Sequence, residues 1–489
     1  MRQSTYSARQ LPFVPALEVR GHTTHSADQR KGFAETPPEL GWARSLQRGA
    51  HSMRFHWLSA VTIAAVPLFT VSCGTPIKGS PSGSSTAVGT SSSGTGGAPG
   101  AGGAGGGVDH GMPSTTYPAF HPKPPQLFDY GGPVVATPHI VPVVFANDDP
   151  ATATQLGAFA NAIGASTYWT DDTSEYGVGP ATGAAPVLLT DAPSGTMDDT
   201  AIKTLIASKL NANDAAFPTI DANTVLLFVF PSAVHITQQG GTSCKDFLGY
   251  HTSVALDAAH GNLSVPYVVI PTCSGIQGFQ GFDAITATAS HELIEAATDP
   301  FPDTDPAYGR VNIDDYFWKM QFGGEACDLC AQQSSSFGKL PGLDYVVQRC
   351  WSNKEAAALH DPCAPQAVDA PYFNAAPVLP DKTSVSLYGH TVTLNSVHIP
   401  VGETRDVEID LFSDGATSGA WTVHAESLTP ALGTSGNLDM KLDREQGQNG
   451  EKLHLSIHVL DAGQFNVEPF VIRSTLGTRE NLWVGAVTN

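Results

Sequence analysis

The segment Ser290-His291-Glu292-Leu293-Ile294-Glu295-Ala296-Ala297-Thr298-Asp299-Pro300 sets one imidazole and two carboxylates at a spacing that suits a divalent metal. On a helix, His291 and Glu295 lie four residues apart and project from one face, so they can share a cation. Glu292, next to His291, can reach a water bound to that cation. This is the logic of the H-E-x-x-H zinc peptidases with glutamate in the second ligand position. Zinc accepts both donor types, polarises a carbonyl and acidifies its water, which leaves Glu292 as the general base. A carboxylate in place of histidine adds negative charge and weakens the metal's Lewis acidity. The bland alternative is a solvated helix face. The flanking Ala287, Ala289, Leu293, Ile294, Ala296 and Ala297 oppose it, because they predict a buried helix in which unpaired carboxylates are costly.

A zinc site needs a third protein ligand. Glu325, thirty-four residues beyond His291, leaves ample chain for a loop to return across the helix. Asp328 is an alternative ligand or a group bonded to one, and Asp299 is nearer but follows the last helical turn. Calcium would suit the hard oxygen donors, but His291 argues against it. His251, Tyr308 and Tyr316 are candidates to stabilise a developing oxyanion, a role each fills less often than plain packing.

The elements that must carry these groups read as mixed α/β from about residue 113 to 365. Apolar runs at Ile140–Phe145, Val187–Leu189, Val225–Phe230 and Tyr267–Ile270 predict strands. Helical spacing predicts helices over Ala151–Tyr168, Asp198–Leu210 and Phe282–Asp299, the last ended by Pro300. After a linker at 366–377, residues 378–489 show short alternating strands between Gly, Asn and Asp turns, the pattern of a small accessory β-sandwich.

The 489 residues carry 25 Lys and Arg against 46 Asp and Glu, a formal net charge of −21, which argues against nucleic acid or an anionic membrane surface as partner. Residues 53–73 combine Met53-Arg54, an apolar stretch and Val71-Ser72-Cys73-Gly74, which reads as a lipoprotein-like signal peptide with Cys73 as the lipidated residue. Residues 1–52 precede the expected start. Residues 74–112 form a Gly/Ser-rich linker, a tether too poor in apolar groups to fold. The membrane is therefore expected to be met only through the lipid anchor, at the outer membrane or cell surface, with simple secretion as the alternative. Lipidation of Cys73 leaves Cys244, Cys273, Cys327, Cys330, Cys350 and Cys363, which predicts three disulfides of open pairing. A structural zinc site built on Cys327 and Cys330 is the competing reading.

The order of segments resembles the exordium-like (phosphate-induced) proteins and their bacterial relatives. The resemblance rests on Cys244 and Gly249-Tyr250-His251, on Val268 to Cys273, and on Ser290 to Pro300. It continues through Glu325-Ala326-Cys327-Asp328-Leu329-Cys330 and Val347-Gln348-Arg349-Cys350-Trp351-Ser352-Asn353, spanning most of residues 130–355. The family pattern allows Asn where this chain has Asp299, a further reason to favour Glu325 as ligand. The resemblance implies a zincin-like domain at 113–365, with a mixed sheet and an active-site helix. The expectation is an exported zinc-dependent endopeptidase acting on peptide or protein substrates, with His291, Glu295 and Glu325 on the metal and Glu292 as base. The alternative is a non-enzymatic extracellular binding or adhesion protein on the same scaffold.

Overall fold

Val225 to Phe230 is an unbroken apolar run, and only a strand covered on both faces can bury such a run. In the computed structural model, which describes residues 108–489 apart from 366–369, 388–389, 428–436 and 464–465, it is the centre of a six-stranded sheet. The strands are β1 (His139–Phe145), β2 (Thr182–Gly183), β3 (Val187–Leu189), β4 (Thr224–Phe230), β5 (Tyr250–Ala255) and β6 (Ser264–Pro271). Their order is β2-β1-β4-β6-β5, with β3 also on β1, and every pairing is parallel except that of edge strand β5 with β6.

Alternate residues of these strands enter two different cores. Ile140, Val144, Val225, Leu227, Val229, Val268 and Ile270 face helices α1 (Pro150–Gly164), α2 (Thr167–Thr173) and, further along the chain, the helix at Phe282–Thr298. Val141, Val143, Leu226, Phe228, Phe230 and Val269 face α3 (Asp199–Asn211) through Ile202, Ile206 and Leu210. The expected long helix over Ala151–Tyr168 is broken after Gly164. Ser166 there caps α2 by accepting the Trp169 N–H, which starts a new helix.

The helix at Phe282–Thr298, α4, carries the His291 motif and is buried nearly all round. It is Ala-rich because it packs closely against the sheet on one side and the later strand β7 (Leu343–Gln348) on the other. It stops where expected, with Asp299 as the C-cap before Pro300. Two short helices, α5 (Tyr316–Phe322) and α6 (Asp328–Ala331), follow it.

The C-terminal part is β-rich. One sheet of four strands includes β8 (Phe373–Pro377), β9 (Thr404–Ser413) and β10 (Lys452–Val459), and another of six includes β11 (Val467–Leu476) and β12 (Arg479–Thr488). Strand β10 alternates buried and half-buried residues with period two, as a sheet with one covered face requires. Strand β8 falls in what the sequence suggested was linker. Phe373, Ala375 and Ala376 are fully buried, and their pairing with β9 outweighs the weak local strand signal of Asn, Ala and Pro. Residues 109–121 lie along this β-rich part: Gly111 bridges Glu451, Ser114 N–H donates to Asn449 O, and His121 stacks on Phe412.

The six described cysteines pair as Cys244 with Cys273, Cys327 with Cys350, and Cys330 with Cys363. The alternative of a structural zinc on Cys327 and Cys330 is thereby excluded, since their sulfurs are oxidised to different partners. Three disulfides place the folded part in an oxidising, extracellular compartment. Each closes a loop of 23 to 33 residues, worth roughly 3–4 kcal/mol in the chain-entropy picture. Among the described residues no helix is long and apolar enough to cross a membrane. The leader with Cys73 and the tether through residue 107 lie outside the described residues.

Candidate metal centre

Four elements converge on one buried cluster. Helix α4 supplies His291, Glu292 and Glu295, its C-cap supplies Asp299, edge strand β5 supplies His251, and the loop before α6 supplies Glu325, with Asp328 at the first position of α6. Covalent bonds pin the chain just after Glu325 and on both sides of Asp328, since Cys327 is tied to Cys350 and Cys330 to Cys363.

Glu295 sits at the middle. Its Oε1 accepts the backbone N–H groups of Cys327 (3.0 Å) and Asp328 (3.1 Å), which fixes the carboxylate and leaves Oε2 for other partners. That Oε2 lies 3.0 Å from His291 Nε2 and 3.8 Å from His251 Nδ1. His251 Nδ1 also faces Glu292 Oε2 at 3.6 Å and Glu325 Oε2 at 3.7 Å, and His291 Nε2 faces Asp328 Oδ1 at 3.7 Å.

Both imidazoles are oriented from behind. His251 Nε2 is 3.1 Å from the carbonyl of Asp299, which can only accept, so that nitrogen carries the proton and Nδ1 is turned toward the carboxylates. His291 Nδ1 is 2.9 Å from Gln348 Oε1. The Gln348 amide cannot be reversed, because its Nε2 donates to the Cys327 carbonyl at 2.6 Å. His291 therefore donates from Nδ1 and turns Nε2 inward. An outer N–H bonded to oxygen with the inner nitrogen aimed at a carboxylate-lined space is how metal-binding histidines are held.

Glycines make the carboxylates fit. A Cβ on Gly249 would lie 2.8 Å from Glu292 Oε1 and 2.8 Å from Thr288 Cγ2, and one on Gly309 would lie 2.2 Å from Asp299 Oδ2. Gly323 has φ +108°, and a Cβ there would meet Asp328 Oδ2 at 1.9 Å. Asp328 in turn accepts the Gly324 N–H at 3.0 Å.

The electrostatics are those of a space short of positive charge. Burial, with Glu295 adding to it and His251 opposing, pushes Glu325 up to about 8. Burial and Glu325 push Asp299 to about 7, and burial pushes Asp328 to about 6 against the pull of His291. Burial opposes a charge on His251, yet Glu325, Glu292 and Glu295 outweigh it and lift the group to about 10. His291 is raised in the same way by Glu295 and Glu292. The donor atoms of His251, Glu295 and Glu325 lie within 4.8 Å of one another, a set that a zinc-sized cation can gather.

The structure thus brings His291, Glu292, Glu295, Glu325, Asp328 and Asp299 into one cluster and adds His251 to the face that holds Glu325. Tyr308 lies elsewhere, packed on Tyr176 with ring centroids 4.8 Å apart. Gln348 was quoted in sequence only as part of a strand motif. Nothing in its own type reveals that it orients His291 from fifty-seven residues away.

No family model matches this chain, and no curated protein matches it. Among solved structures it is similar over 23% of its length to domains 4 and 5 of the S-layer protein SbsC, with 15% identity and a TM-score of 0.15. It is similar over 25% to a chimeric titin Z1Z2, with 12% identity and a TM-score of 0.14. The chain spans 47% of that SbsC fragment and 96% of the titin chain. Likenesses of this size assign neither a fold nor a function.

Proposed function

We propose that this chain is an exported, surface-anchored zinc-dependent hydrolase of peptide bonds, built on a zincin-like domain, with Cys73 as the lipid anchor. The observation that carries the reading is the paired orientation of His251 and His291, each tied outward to a carbonyl oxygen and turned inward on Glu295. An antiparallel edge strand on an otherwise parallel sheet, lying beside the motif helix, supports the scaffold.

His291, Glu295 and Glu325 would hold the zinc, with His251 as a further donor. Bound zinc supplies an acidified water and polarises a substrate carbonyl. Glu292, buried between Gly249 and His251, takes the proton from the attacking water and passes it to the departing amine. Asp299 and Gln348 keep the imidazoles in the tautomers that leave Nδ1 of His251 and Nε2 of His291 as donors.

The decisive experiment measures zinc content of the purified protein and its cleavage of casein or a peptide library, beside Glu292→Ala. The expected result is bound zinc in both proteins and cleavage at least roughly 100-fold slower in the variant. Equal activity in both, or none in either, removes the peptidase. A non-enzymatic extracellular binding protein is the second reading, favoured by how little of the cluster reaches the surface: the side chains of His291, Glu325 and Asp328 are 14%, 19% and 29% exposed.

A further inference from the structure

Resting on the reading of this cluster as a metal centre, we infer that it holds two divalent cations bridged by Glu295, rather than one zinc. The donor atoms gather among the described residues as two sets that share only Glu295. One is His251 with Glu295 and Glu325; the other places His291 and Glu295 beside the sulfur of Cys327. That sulfur is in a disulfide and is no thiolate donor, so the third donor proposed on this side is Asp328 Oδ1, which faces His291 Nε2 at 3.7 Å. Each set has its own imidazole, and each imidazole has its own carbonyl oxygen behind it, that of Asp299 for His251 and that of the Gln348 amide for His291. Each imidazole is thus set to serve a cation of its own.

Glu295 is shaped for the shared role. With Oε1 committed to two backbone N–H groups, Oε2 is the one atom that faces both imidazoles. Single-atom and carboxylate bridges hold cations roughly 3.5–4 Å apart in two-metal hydrolases, where one ion orients the nucleophile and the other the leaving group.

Charge points the same way. Five carboxylates, Glu292, Glu295, Asp299, Glu325 and Asp328, share this space, and the ammonium beside them is Lys319, which donates to Gly309 O at 3.5 Å. Two dications and one ammonium balance five carboxylates with both imidazoles neutral, the form that binds metal. With one dication, protons must make up the rest of the balance. Asp299 adds an independent sign: it is fully buried, its Oδ1 accepts the Ala307 N–H, and its Oδ2 has no hydrogen-bond partner. That oxygen borders the same gap over Gly309 as Glu325 Oε1. A cation on the His251 side gives it a counter-charge.

The test is the metal stoichiometry of the full chain, titrated with zinc after chelation and washed by gel filtration, beside Asp328→Asn and Glu325→Gln. Both substitutions keep side-chain shape, and near-ultraviolet circular dichroism checks that the fold is kept. The expected result is two zinc ions per chain in the parent and one in each variant. The cobalt-substituted parent should show magnetically coupled ions, and the variants an uncoupled one. A parent that saturates at one zinc overturns the two-metal centre while leaving the hydrolase reading standing. A parent that binds no zinc overturns both.

Discussion

Gln348 fixes the tautomer of His291 across fifty-seven residues of sequence: its Oε1 accepts from Nδ1 at 2.9 Å while its Nε2 is committed to the Cys327 carbonyl at 2.6 Å. The same amide thus ties together the motif helix and the loop that bears Glu325 and Asp328. Its backbone N–H donates to Ser290 Oγ at 2.9 Å, so the contact is anchored on both sides.

Gln348→Ala removes the partner of both His291 and the Cys327 carbonyl. Zinc affinity should fall roughly 10–100-fold, as for other residues that orient metal-binding histidines. Stability should fall by about 1–3 kcal/mol through the buried carbonyl left unpaired. Competition against a fluorescent chelator reads the first effect and urea unfolding the second. Unchanged zinc affinity would mean that His291 is not a ligand.

Gly249→Ala puts a methyl group 2.8 Å from Glu292 Oε1 and Thr288 Cγ2. The overpacking should cost about 1–3 kcal/mol in thermal or urea unfolding. Because the displaced group is the proposed base and not a proposed ligand, hydrolytic rate should drop while bound zinc is retained. Loss of zinc together with rate would move Glu292 into the ligand set.

Asn449 holds residues 114–119 on the β-rich part with its whole side-chain amide. Nδ2 donates to the carbonyls of Ser114 and Thr116 at 2.9 Å each, and Oδ1 accepts from Ala119 and Ser413 at 3.0 Å each. Asn449→Ala should destabilise by about 1–3 kcal/mol. It should also make the chain near Phe120 an early cleavage site in limited proteolysis with chymotrypsin. Proteolysis at the parent's rate would show that the apolar contacts of His121 suffice.

His121 is buried against Phe412, with centroids 3.8 Å apart, and burial lowers its pKa from 6.5. Below about pH 6.5 the unfolded chain takes a proton that the folded chain refuses, so stability falls with pH in that range and is unaffected by this group above it. Asp410 acts in the opposite sense. Burial and Glu408 raise it to about 6, so its ionisation costs stability as pH rises from about 4 to about 6. Urea unfolding at pH 5 and pH 7.5 separates the two: the parent should lose more stability than His121→Phe on going to pH 5. Equal losses would place His121 in contact with water.

Much of the fold is legible in sequence because its signals are local. The all-apolar run of β4, the four-residue spacing of His291 and Glu295, the proline after Asp299 and the alternation in β10 each depend on neighbours within one or two turns of chain. The even set of cysteines announced oxidation for the same reason, as a count. What local pattern could not give was whatever depends on residues distant in sequence. Strand β8 forms because β9 is there to pair with it, and the cysteines find partners 23 to 33 residues away.

The candidate site divides along the same line. Sequence alone named His291, Glu292 and Glu295, because a helix of 3.6 residues per turn must place them close together, and it favoured Glu325 over Asp328 and Asp299 from the length of chain available to a returning loop and from the family resemblance. Only the tertiary structure decided that His251 stands on an edge strand facing the same carboxylates, that Asp299 and Gln348 set the two tautomers, and that Glu295 lies between two imidazoles. Those relations depend on where a strand, a helix cap and a disulfide-pinned loop meet in space, and a periodic pattern along one element carries no record of what the other elements bring to it.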